Sequence, residues 1–125
     1  MSPSRIPALA LAADILAVIV FAAVGRASHA ESEALLGLLG TVAPFLVGLL
    51  AAWATPYVRS RPAGLRGGAV ALAGTVVIGL ALRAAFLDRL PLSFAIVTLV
   101  TLAVLLLGWR GLSMLVSSRV AHRVR

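Results

Sequence analysis

Two side chains could do chemistry in otherwise apolar surroundings: Asp14 and Arg110. Asp14 lies inside the run Pro7–Val24, eighteen residues with no other charge. It sits about 10 Å in from the start of that run, at 1.5 Å per helical residue. An ionisable group within a stretch of membrane length is rare and is a functional hypothesis by default. A carboxyl that takes up and releases a proton there could drive a transport cycle. The other use is structural, an anchor paired with Arg110 at the end of the last apolar run, which enters from the same side of the membrane. No second acid occupies a midplane position, so the structural pair is the expected role.

A second constellation gathers at the opposite end: Arg26, His29, Glu31, Glu33, Arg83, Asp88 and Arg89. Arg83 is its most informative member, because a guanidinium on a packed helix face can grip a carboxylate or phosphate with two parallel bonds. An interfacial ion-pair network with Arg reaching toward water is the simpler expectation. His29 and His122 fall on opposite sides, so no bis-His haem site forms between them. The chain has no Cys, and no Gly-rich run precedes Lys-Ser or Lys-Thr; thiolate metal sites and phosphate loops of that kind are excluded. No nucleophile and base share a face near an interface. The expectation is a protein that is not an enzyme and takes no cofactor.

The elements that must position these residues are set by composition. Hydrophobic residues make up 62% of the 125-residue chain, with a mean hydropathy of +1.10. A single domain of this size has too little interior to hide that much apolar surface from water, so hydrocarbon is the expected solvent. The net charge of +7 comes entirely from Arg, and most Arg lie at the ends of apolar runs, as membrane topology requires. Few aromatic residues are available for base stacking, which argues against a nucleic-acid partner.

Four spans are expected, over about residues 7–25, 34–55, 67–87 and 91–110, with a basic tail at 111–125. Arg5, an apolar run and Ala-Ser-His-Ala at 27–30 together have the outline of a secretory signal. The long run and its interruption by Asp14 predict instead a retained first helix, followed by a polar loop from Arg26 to Glu33. In the second span Gly40, Pro44, Gly48 and Ala52 recur every four residues, and Pro44 is expected to kink the helix by clashing with the Gly40 carbonyl. The third span repeats the pattern with Gly67, Ala71, Thr75 and Gly79, and Arg83 is next in that series. Small residues on one stripe let membrane helices approach closely, so these two spans should meet each other or a second copy. Trp53 and Tyr57 stand where an interfacial aromatic belt is expected, and Trp109-Arg110 close the last span at the same interface. Residues 59–66 read as a basic loop, and the tail as a helix along anionic headgroups.

Charge asymmetry orients the bundle. The N-terminus, the loop after span two and the tail with Arg110 hold one, three and four Arg, eight in all. The other two loops, with Arg83, hold three Arg against three acids. Both termini are therefore expected in the cytoplasm, with the protein a multi-pass component of the cell membrane.

Taken together, Ala13-Asp14, Gly25-Arg26 with His29, Pro44-Phe45-Leu46-Val47-Gly48, Arg83 and Trp109-Arg110 resemble the domain-of-unknown-function 3054 family of small four-helix bacterial and archaeal membrane proteins. The resemblance implies an all-α integral membrane bundle with no assigned activity. A looser likeness in layout, four spans with an acid in the first, is to the small multidrug resistance exporters, which use a Glu there for proton/drug exchange as antiparallel dimers. The chain departs from them in having Asp, few aromatic residues to line a drug pocket, and a strong Arg bias against dual insertion. The expected role is an accessory subunit or a self-associating bundle in the lipid bilayer, with other membrane proteins or its own copies as partners. A proton-coupled transporter working through Asp14 is the alternative.

Overall fold

The computed structural model describes residues 5–29, 34–87 and 92–124, all of it helix and short turns. The described residues form, in order, the helices α1 (Arg5–His29), α2 (Ala34–Trp53), α3 (Pro56–Arg59), α4 (Leu65–Leu87) and α5 (Leu92–Val124). Among the described residues three stretches are long and apolar enough to cross a membrane: Ile6–Val24, Leu65–Ala85 and Ala95–Arg119, with mean hydropathies of 2.4, 1.8 and 2.0. Gly40–Trp53 of α2 is a shorter apolar stretch among the described residues.

Each long helix buries one stripe at three- and four-residue spacing, the periodicity of a single helical face. On α1 the stripe is Ala10, Asp14, Ala17, Val18, Phe21 and Ala22. On α5 it is Thr98, Leu102, Leu106 and Arg110, all fully buried. The opposite faces carry exposed aliphatics such as Leu16, Val77, Ile96 and Val104. A water-soluble bundle would place charge there.

Helices α2 and α4 make the most extensive pairing, and glycines set their closeness. A Cβ on Gly48 would stand 2.5 Å from the Gly74 carbonyl oxygen and 3.0 Å from Thr75 Cα. Gly74 in turn faces Ala52, and the space at Gly79 is filled by the Phe45 ring. Phe45 also meets Phe21 of α1 edge-on, with ring centroids 5.1 Å apart. Gly48, Ala52, Ala71, Thr75 and Gly79 thus lie in the packed layer. Gly40 does not: it is exposed, and no described atom lies within 4 Å of where its Cβ would be. The four-residue stripe drifts around the axis because a turn takes 3.6 residues, and its first member leaves the interface. Pro44 is half-buried and lies inside α2, which continues on both sides of it.

Two further expectations change, and the expected helical tail is continuous with span four. Helix α1 continues to His29, so Arg26 and His29 belong to its last turn rather than to a loop; the Ala-Ser that follows Arg26 does not stop a helix. The expected basic loop, residues 59–66, is bounded by helix on both sides: Pro56–Arg59 form the single turn α3, opened by Pro56 at its first position, where the missing N–H costs nothing, and α4 already begins at Leu65. Span four and the tail are one helix of 33 residues, roughly 50 Å long. No Pro interrupts it, and Gly108 and Gly111 lie within it.

Candidate functional site

The site lies where α1, α5 and the α2–α4 connection converge. Asp14 is fully buried, and so is Arg110. They form a two-pronged pair: Arg110 Nη1 donates to Asp14 Oδ1 and Nη2 to Oδ2, each at 2.7 Å. Planar guanidinium and planar carboxylate match in this geometry, and the charge on both partners makes these bonds strong.

Two indoles complete the carboxylate's shell. Trp53 Nε1 at the end of α2 donates to Oδ2 at 2.9 Å, and Trp109 Nε1 on α5 donates to Oδ1 at 2.8 Å. An ionised carboxylate has about four acceptor sites, and four N–H groups from two other helices occupy them. Arg110 is nearly as fully used. Its Nε donates to the Pro62 carbonyl at 2.9 Å, and Nη1 also donates to the Leu106 carbonyl one turn back at 3.1 Å. Its guanidinium carbon lies 4.4 Å from the Trp109 ring centroid, a cation–π contact between the fully buried Arg110 and a half-buried Trp109, and such contacts strengthen as the cation is desolvated. Gly68 on α4 provides the room: a Cβ there would lie 2.6 Å from Arg110 Cδ.

The sequence expects Trp53 and Trp109 near the interface and gives them no part in the Asp14–Arg110 pair. In the structure Trp53 is 8% exposed and Arg110 0%. The reason is Asp14: a carboxylate without water must find donors, and the indole N–H and guanidinium nearest to it in depth turn inward to supply them. Tyr57, 65% exposed, keeps an outward position. The signal available beforehand was that both Trp of the chain fall at the depth of its one intraspan acid, and a buried Trp N–H needs an acceptor. The Pro62 carbonyl and Gly68 carried no such signal.

Arg83 is half-buried on α4 and has an interaction of its own. The side chains of Arg26 and His29, together with Glu31, Glu33, Asp88 and Arg89, lie outside the described residues. Among the described residues no group of His, Cys, Asp or Glu could hold a metal ion.

The indole bonds can be weighed singly. Trp53→Phe keeps the ring and deletes one donor to a charged acceptor, an interaction worth about 1.5–3 kcal/mol. Unfolding in detergent, followed by circular dichroism, should show a loss of that size with the helical content unchanged; an unaltered midpoint would mean the bond contributes nothing.

Long apolar helices closed around a buried ion pair define a small all-helical protein of membrane type. The chain belongs to the family described as Protein of unknown function (DUF3054), whose model matches residues 11–113, a stretch that contains all four cluster side chains. No curated protein and no solved structure matches the chain.

Proposed function

We propose that this is a non-enzymatic, multi-pass protein of the cell membrane, a four-span bundle with both termini in the cytoplasm. It acts as an accessory subunit or self-associating bundle, with lipid and other membrane-embedded chains as its partners and no role for nucleic acid. The observation that carries this reading is the saturation of Asp14 by four N–H donors. A proton carrier must surrender and regain such bonds in every cycle, whereas a clamp keeps them. With its 20 residues, α2 extends roughly 30 Å, the thickness of a hydrocarbon core, which supports counting it as the fourth span. The orientation is supported even when Arg110 is left out of the count because it is buried and paired. Seven Arg then remain on the cytoplasmic side, against three on the other.

Native mass spectrometry after gentle extraction from the cell's own membrane tests this role. Co-purifying membrane proteins define an accessory subunit, and multiples of the chain mass define a self-associating bundle; a lone monomer would overturn both. A proton-coupled transporter is the second reading, favoured by the presence of an ionisable carboxylate inside a candidate span. Proteoliposomes loaded with a pH-sensitive dye separate the two. Asp14→Asn should leave proton flux where it was, and a variant that assembles normally yet abolishes flux would establish the transporter.

A further inference from the structure

The segment between α2 and α4 is more than a connection. Its inner side is seated at several points. Val58 is fully buried and Pro62 is buried. The Pro62 carbonyl accepts the Arg110 Nε bond. Gly67 lies so close that a Cβ on it would come within 2.8 Å of the Arg61 carbonyl oxygen. At the entry, Thr55 Oγ1 donates to the Ala52 carbonyl at 2.6 Å and Arg59 Nη2 to the Ala54 carbonyl at 3.0 Å, closing the end of α2. The outer side has a different character. Tyr57, Arg59, Arg61, Leu65 and Arg66 are all exposed, and no acid lies between Asp14 and Asp88 along the chain except Glu31 and Glu33, which precede α2.

We propose that this face is a binding surface for the headgroups of anionic phospholipids in the leaflet at that end of the bundle. Three guanidiniums complement a phosphate-bearing surface in charge and in donor geometry. An exposed Tyr and an exposed Leu beside them suit the boundary between headgroups and acyl chains. The seating is what turns a basic loop into a site. The Arg110 bond and the Gly67 contact tie the backbone of residues 57–67 to the bundle, so the three cations are presented together without the ordering cost a free loop would carry. Each Arg near an anionic surface contributes about a fivefold preference, and three together on the order of a hundredfold, falling steeply with salt.

The inference requires that the chain be membrane-embedded, but not that it be an accessory subunit or a transporter. Its test is lipid selectivity by electron spin resonance, comparing spin-labelled phosphatidylglycerol with spin-labelled phosphatidylcholine around the protein in bilayers. The wild type should restrict the anionic label preferentially, and added salt should erode that preference. In R59Q/R61Q/R66Q most of it should disappear while tryptophan emission stays at the buried position, and Arg66→Gln alone should remove part. A triple variant that keeps the full preference overturns the proposal, as does a preference insensitive to salt. Absence of a restricted component for either label would overturn the membrane reading together with it, so the two failures are distinguishable.

Discussion

Asp14→Asn is expected to cost about 3–5 kcal/mol of stability, the magnitude found when one partner of a buried ion pair is removed. The loss has two sources. Arg110 keeps its charge in a site with no water contact, and the new amide presents N–H groups where Trp53, Trp109 and Arg110 all present donors. Thermal or denaturant unfolding in detergent measures it, and the two tryptophans report on the site directly because both indoles bond to Asp14. Their emission should shift to the red at lower denaturant than in the wild type. Arg110→Gln should be comparably costly, since it also frees the Pro62 carbonyl. The pair Asp14→Leu with Arg110→Met tests the origin of the effect. Replacing both charges is often neutral elsewhere, but here it strands two indole N–H groups and a carbonyl. The double variant should therefore recover part of the loss and not all of it. Full wild-type stability in Asp14→Asn would refute the clamp.

Gly48→Leu should be the second severe change. Even a Cβ at this position meets the Gly74 carbonyl and the Thr75 backbone of α4, and backbone cannot rotate away as a side chain can. The helices must separate, which forfeits the packing that joins them in the absence of a hydrophobic drive. Overpacking costs typically 1–3 kcal/mol, expected for Gly48→Ala, with Gly48→Leu beyond it. Gly40→Ala is the internal control from the same sequence stripe. With open space at that position, Ala should be neutral or stabilise by about 0.5–1 kcal/mol through the glycine entropy term. Equal destabilisation at the two positions would show that helix packing is not the cause. The comparison needs only unfolding curves and a helical signal.

Asp14 and Gly48 also mark how far local sequence reaches. Hydropathy and the 3.6-residue period placed the helices, because a membrane-length run of apolar residues has few alternatives to a helix whose backbone bonds close internally. The same reasoning singled out Asp14, and charge placement brought Arg110 to its depth. What a stripe of glycines touches was not legible. Gly48 and Gly40 look alike in sequence, and only the crossing of α2 with α4 separates a contact from open space. Arg26 and His29 were misplaced into a loop because polarity was read as a turn signal, although nothing in Gly25–His29 stops a helix once one has begun.

The sequence by itself determined an all-helical chain of membrane character, the family it belongs to, and one carboxylate that had to find partners. Tertiary structure alone decided who those partners are. The donors arrive 39, 95 and 96 residues away along the chain, from the end of α2 and the middle of α5, whose rotation and depth depend on the packing of the other helices. A buried charge makes its demand locally, through desolvation. It is met by whichever N–H groups the bundle brings within about 3 Å, and that distance is a property of three helices at once.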